Sequence, residues 1–412
     1  MGITFGRLRR ACDHEAVTAH RISTVRRWSM LAIAVAATTS ANVFINGVAF
    51  LIPTLHRERG LDLAAAGLLS AMPGFGLVLA LIAWGYVVDR VGERIVLSVG
   101  SALIAAASAA AAAAGSLWAV GAFLLLGGIA AASSNSASGR LVVGWFPPDQ
   151  RGLVMGIRQT ATPLGVGLGA LVIPRLAESH GVSAALLFPA AVCAASALMC
   201  AVAVVDPPRP PRSEAPADQL SNPYRTSNVL ARIHLVSVLL VVPQAVLWTF
   251  TLVWLMAERG WSAAAAGTIV TLAQVLGAGG RIAAGYWSDR VASRLRPIRG
   301  IALAAAAAMS LLAITDWFDS PVAVAVMLVA AVITVSDNGL AFTAVAEIAG
   351  PYWSGRALGA QNTTQHLAAA VAAPVFGGLI GLAGYPAAFA VCAALPVIAA
   401  PLVPKEPQTQ RA

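Results

Sequence analysis

Apolar residues run through this chain in long blocks separated by short polar turns. A helix needs roughly 20 apolar residues to cross the hydrocarbon layer of a bilayer. On that measure the pattern predicts twelve spans, near residues 28–52, 64–87, 95–114, 117–145, 152–176, 183–205, 229–256, 262–287, 298–316, 321–349, 356–383 and 385–403. The one long polar, proline-rich interval is 206–228, opening with Asp206, Pro207 and Pro208, and it falls midway. The expected fold is an all-α membrane protein, with one six-helix bundle over 1–205, a linker over 206–228 and a second six-helix bundle over 229–412.

The pattern also repeats. Gly85-Tyr86-Val87-Val88-Asp89-Arg90-Val91 and Gly285-Tyr286-Trp287-Ser288-Asp289-Arg290-Val291 lie 200 positions apart, each ending a long apolar run. A helix pair with a charged turn, recurring at half the chain length, indicates a duplicated bundle, and membrane proteins built that way are mostly alternating-access transporters.

Composition agrees: 58% of the 412 residues are hydrophobic and 11% charged, too little polar surface to cover a soluble globule. The net charge of +9 does not indicate nucleic acid, because the arginines cluster in short loops between apolar runs. Counting the termini and the even-to-odd loops puts 21 of the 27 basic residues on one side, against Arg57, Arg59, Arg175 and Arg259 on the other. Basic loops stay in the cytoplasm, so both termini and the linker are expected there, in a bacterial inner membrane. The basic stretch with Arg7, Arg9, Arg10, Arg21, Arg26 and Arg27 precedes an apolar run too long for a signal-peptide core, which reads as a retained first span. Cys12, Cys193, Cys200 and Cys392 have neither metal-like spacing nor a disulfide framework. With no nucleophile–base pair and no phosphate-cradling loop, an enzyme, a metal site and a cofactor are not expected.

Gly85, Asp89, Arg90, Gly92 and Arg94 close span 2 and open the next loop. Glycine allows close helix approach, the aspartate is expected to cap the following helix, and the arginines to grip facing carbonyls or acids. This resembles the signature loop of the major facilitator superfamily. The second copy keeps Gly285, Asp289, Arg290 and Arg294 but has Ala292 opposite Gly92. Trp145-Phe146-Pro147 with Arg151, Gly152 and Gly156, and Glu347, Pro351, Trp353, Gly355, Arg356 and Gly359, look like that family's 4–5 and 10–11 loops. The resemblance covers residues 28 to 404. It implies two pseudo-symmetric six-helix bundles whose loops lock the cytoplasmic gate while the carrier faces outward. It also implies that Arg140, Arg151, Glu347 and Arg356 join Asp89 and Asp289 in charge-relay networks. Buried pairs of that kind act as bistable latches more than as net stabilisers.

Aligning Gly156 with Gly359 pairs Arg158-Gln159 with Gln361-Asn362, two polar clusters at equal depth in spans 5 and 11, which suggests a central cavity. Arg158 either faces the bundle interior or snorkels to the headgroups, and Arg281 on span 8 either reaches the interior or else snorkels or packs in the gate. If both reach the cavity, the natural ligand is a small anion, since arginine presents a planar fork suited to oxyanions. Asp337, beside Asn338 in span 10, is the candidate proton carrier, or else makes a helix–helix hydrogen bond or a standing pair with Arg281. Asn42, Asn46, Trp248, Gln274 and His366 complete the candidate lining, each of them open to a packing role instead.

Drug–proton antiporters of the superfamily carry an arginine-centred motif in span 4 and a glycine-proline motif in span 5. Span 4 here has no arginine from Leu124 to Ser138, and span 5 has Thr162-Pro163-Leu164-Gly165. The Arg158-Gln159 pair and the Gly139-to-Pro147 stretch look more like the small-anion branches. The expectation is a monomeric, proton-coupled carrier of a small organic anion, with a proton-driven exporter of drugs or apolar metabolites as the alternative.

Overall fold

The computed structural model describes residues 22–59, 63–208 and 213–405. The predicted sites at Arg7, Arg9, Arg10, Cys12 and Arg21 lie outside the described residues, and so do the side chains of Arg57 and Arg59.

Helix α1 (Thr24–Gly47) begins where the Ser23 hydroxyl accepts from the Arg26 amide, filling one of the donors a helix start leaves unpaired. It passes through a 3-10 turn into α2 (Ile52–Arg59). The first bundle continues with α3 (Leu63–Val91), α4 (Glu93–Ala113), α5 (Leu117–Trp145), α6 (Arg151–Gln159) and α7 (Ala161–Ala203). Two short linker helices follow, α8 (Ala217–Leu220) and α9 (Pro223–Thr226). The second bundle comprises α10 (Val229–Ala257), α11 (Ala263–Arg290), α12 (Leu295–Trp317), α13 (Ala323–Ser336), α14 (Asn338–Ala349) and α15 (Ser354–Leu402).

Among the described residues, ten helical stretches are long and apolar enough to cross a membrane. Two are double length, 53 residues over Arg151–Ala203 and 49 over Ser354–Leu402, where one crossing takes about 20. Each turns back at a glycine in the left-handed region, Gly181 at φ 80° and Gly384 at φ 78°, which only glycine adopts without strain. The first reversal is traced by contacts: Gly152 lies against the Asp289 loop, Ile173 against Gly47 at the other end, and the Ala201 carbonyl accepts from Arg94 back at the first end. Division at these glycines gives twelve crossings in two bundles. The predicted gap at 177–182 is therefore narrower than expected, because the chain stays helical up to the turning residue.

Each bundle has its own apolar core, around Phe44, Leu81, Ile104 and Leu124 in the first and Trp254, Met309, Leu312 and Phe389 in the second. A third cluster at the linker end, with Leu97, Leu141, Met155, Ile298, Leu340 and Leu358, draws from both bundles and joins them there. Leu79, Leu198, Val202 and Leu382 point outward and exposed, as residues meeting lipid chains do.

The linker packs onto the second bundle. The Trp353 indole donates to the Leu220 carbonyl (3.1 Å), and the Tyr224 hydroxyl meets His234 Nε2 at 2.8 Å with the rings stacked. Burial pushes the Tyr224 phenol up to about 12, so it stays protonated. Tyr224→Phe is expected to raise trypsin cleavage after the exposed Arg225 several-fold, as a net hydrogen bond contributes about 1 kcal/mol; limited proteolysis of the folded protein measures it.

Candidate functional site

The two bundles meet through glycines placed by the repeat. A Cβ on Gly85 would overlap the Gly355 carbonyl, and one on Gly285 would overlap that of Gly152. One turn deeper, Gly359 lies against Leu81 and Gly156 against Arg281. Both seams, α3 on α15 and α11 on α6, are so close that backbone rests on backbone.

Each seam ends in an aspartate that caps a helix of the opposite bundle. Asp89 accepts from the Gly355 amide (2.8 Å) and the Arg356 amide (3.1 Å), the first donors of α15. Asp289 accepts from Gly152 (2.9 Å) and Leu153 (2.8 Å), the first donors of α6. The expectation that each aspartate caps the helix following it is corrected. These carboxylates satisfy orphan N–H groups across the interface, and the positive end of a helix favours them there. The helix that follows Asp89 is served instead by Asp206, which accepts from the Arg94 amide at 2.7 Å.

Arginines complete two latches. Arg140 pairs with Asp89 (2.9 Å) and Glu93 (3.2 Å) and donates to the Pro351 carbonyl of the other bundle, while Arg356 Nε reaches Asp89 at 3.0 Å. In the second latch Arg294 pairs with Asp289 (2.5 Å) and Glu347 (3.3 Å), and Arg151 reaches Glu347 at 3.4 Å. Burial alone pushes the Arg294 pKa down, but Glu347 and Asp289 outweigh it and the net shift is upward.

Not every expected latch residue crosses the seam. Arg90 and Arg290 lie exposed over the rings of Tyr86 (4.5 Å) and Tyr286 (4.9 Å), and Arg94 Nε holds the Ala201 carbonyl of its own bundle. Gly92 sits at φ 96° beside the Asp206 carboxylate, and Ala292 also takes a positive φ of 46°. Glu93, buried in the first latch, escaped sequence reading because a lone glutamate after a loop resembles an ordinary first-turn residue.

Above the latches, between the bundles, is a cavity of about 290 Å³. Its wall includes Asn42 and Asn46 of α1, Asn135 of α5, Gln159 of α6, Gln244 and Trp248 of α10, Arg281 of α11, Asn338 and Phe342 of α14, and Asn362, Gln365 and His366 of α15. Gln159 reaches it because the helix breaks after it: Pro163 has no N–H to return to the Gln159 carbonyl, and α7 restarts at Ala161. Gln274 lies in a crevice beside the cavity, together with Trp248 and Arg281.

Three expected residues lie behind the wall. Arg158 neither snorkels nor lines the cavity: its guanidinium donates to Ser138 Oγ (2.9 Å), the Asn135 carbonyl (3.0 Å) and Gln159 Oε1 (2.9 Å). Gln361, its counterpart in the repeat, is fully buried against His234. Asp337 is 2% exposed, at the break between α13 and α14. Gln365, which lines the cavity, was missed; its position three residues after Asn362 was the available signal.

Arg281 differs from every other buried arginine in these networks. It is 3% exposed, its guanidinium makes no hydrogen bond within the protein, and its Nη1 is buried without a partner. It interacts electrostatically with Asp337 but forms no direct ion pair with it. Among the lining residues it is the one Arg, Lys, Asp or Glu.

Twelve crossings in two similar bundles, joined at one end by ion-paired latches and enclosing a polar cavity, are the build of a membrane transporter. The sequence pattern of the Major Facilitator Superfamily matches residues 30–373, and the chain belongs to that family. It is 57% identical over 378 residues to an uncharacterised MFS-type transporter of Mycobacterium tuberculosis, spanning 92% of this chain and 85% of that one. In fold it is similar to the proton:xylose symporter XylE, with a TM-score of 0.79 at 16% identity over 92% of this chain and 95% of the symporter. It is likewise similar to the human organic anion transporter MFSD10, with a TM-score of 0.73 at 21% identity over 93% and 100% of the two chains.

Proposed function

We propose that this transporter carries a small organic anion in step with protons, by rocking its bundles about the central cavity. The observation that carries the reading is Arg281, a buried cation in the cavity wall with no hydrogen-bond partner. Buried polar groups are ordinarily paired, so an unpaired guanidinium calls for a ligand of opposite charge. Asp337 is the proton carrier in this reading. While ionised it draws on the charge of Arg281; once protonated it leaves that charge to the substrate, which couples anion and proton uptake. The two structural neighbours, a human organic anion transporter and a proton:xylose symporter, agree with this reading.

With the arginine-rich linker end in the cytoplasm, the latched form faces outward. Asp89, Asp289 and their arginines then serve as the inner gate, holding it shut until substrate and proton have bound.

The test is thermal unfolding of the purified protein with a panel of carboxylates, inorganic anions and hydrophobic cations. An anion at 100 times its Kd is expected to add about 2.7 kcal/mol of stability, and Arg281→Gln to lose that gain. Stabilisation by hydrophobic cations alone would overturn the reading in favour of a drug exporter.

A further inference from the structure

The cavity wall is more specific than a single cation requires. Apart from Arg281, Thr162, Trp248 and His366, its polar side chains are carboxamides, and four of these have their orientation fixed by the protein. Asn42 Nδ2 donates to the Thr38 carbonyl (2.8 Å), Asn46 Nδ2 to the Asn42 carbonyl (3.0 Å) and Asn362 Nδ2 to the Leu358 carbonyl (2.9 Å). A carbonyl accepts only from the amide nitrogen, which fixes the flip of all three side chains. Their oxygens remain as acceptors, although that of Asn42 already receives a long contact from Asn46 Nδ2 (3.5 Å) and has one lone pair to spare. Gln159 is fixed the opposite way: its oxygen accepts a hydrogen bond from Arg158 Nη1 (2.9 Å), leaving its NH2 as a donor.

Orientation locked in this manner is preorganisation, since the groups need not reorder when a ligand arrives. Simple carboxylates have no donor for the three oxygens and would meet them through trapped water at best. A hydroxyl donates one hydrogen bond and accepts others, so a row of hydroxyls matches a wall that offers both acceptors and donors. The volume of about 290 Å³ is at the small end of the roughly 300–1,000 Å³ range of small-molecule sites.

We infer that the substrate is a polyhydroxylated monocarboxylate of sugar-acid size, its carboxylate on Arg281 and its hydroxyls on Asn42, Asn46, Asn362 and Gln159. This rests on the anion reading above and narrows it. A site built to hydrogen-bond hydroxyls discriminates strongly against analogues that lack them, because its own buried groups are then unpaired.

The experiment is binding to the purified full-length protein by isothermal titration, with three probe types of similar length. These are aldonates (D-gluconate, D-galactonate and D-ribonate), the deoxygenated acid hexanoate, and the neutral polyol sorbitol. At least one aldonate is expected to bind about tenfold or more tighter than both hexanoate and sorbitol. Asn362→Leu is expected to weaken that aldonate about tenfold and leave hexanoate unchanged. Arg281→Gln is expected to bring the aldonate down to the level of sorbitol. Hexanoate binding as tightly as every aldonate, with Arg281 required, would sink the hydroxyl inference while the anion reading stood. Sorbitol matching the aldonates in the parent protein would remove both, whereas no aldonate binding would remove the hydroxyl inference and leave the anion reading to the ligand panel.

Discussion

Arg281→Gln is expected to reduce transport efficiency, read as kcat/KM in proteoliposomes, by roughly 100-fold or more. Hydrogen bonds to charged groups contribute about 1.5–3 kcal/mol each, and a planar guanidinium offers a carboxylate two at once. Glutamine keeps a polar amide but is shorter and uncharged, so what is lost is recognition of the anion. The substitution also leaves Asp337 without its nearby positive charge, which threatens the fold as well as the function. The double variant Arg281→Gln/Asp337→Asn separates the two effects: thermal stability should return toward the parent while transport does not. Arg158→Gln is the contrasting control. Its guanidinium is held by Ser138, Asn135 and Gln159, so its removal should lower the unfolding temperature more than it lowers anion affinity. Near-parental transport by Arg281→Gln would overturn the anion reading.

Asp89→Ala is expected to free the linker end. The carboxylate is almost fully buried, receives two backbone amides of α15 and pairs with Arg140 and Arg356. Removing one partner of a buried pair costs about 3–5 kcal/mol; Arg140 keeps Glu93 of its own bundle, but Arg356 and the two α15 amides lose their partner across the seam. In the closed state this carboxylate bridges the bundles, so the loss weighs against closure and shifts the open-to-closed ratio by about 100-fold or more. Hydrogen exchange of the Gly355 and Arg356 amides should accelerate accordingly. The matching variant, Asp289→Ala, should do less, because Glu347 continues to hold both Arg151 and Arg294. Unchanged protection at Gly355 in Asp89→Ala would show that the latch does not hold this end shut.

Much of the gate was legible in the sequence, because its parts are local: a glycine, an aspartate and arginines at fixed spacing in a short loop. Their partners were not. Asp89 reads as a cap for the helix it precedes, yet its carboxylate serves Gly355 and Arg356, more than 260 residues later. Arg90 and Arg94 belong to the same motif as Asp89 but turn away from the seam, onto Tyr86 and Ala201. A motif therefore marks the place of a latch without saying which of its side chains crosses.

The cavity divides in the same way. Arg158 and Arg281 look alike in the sequence, each an arginine one or two turns into a span, and both were read as ligands for an anion. In the fold Arg158 meets the polar face of α5, whose Ser138 and Asn135 satisfy it, while Arg281 meets no such face. Sequence by itself determined the number and length of the crossings, the duplication and the position of the loops, because bilayer thickness and the repeat act on contiguous residues. Only the tertiary structure decided which arginine has partners and which carboxamides line the cavity. A helix turns about 100° per residue, so a small rotation about its axis exchanges wall for packing, and that rotation is fixed by contacts with distant spans.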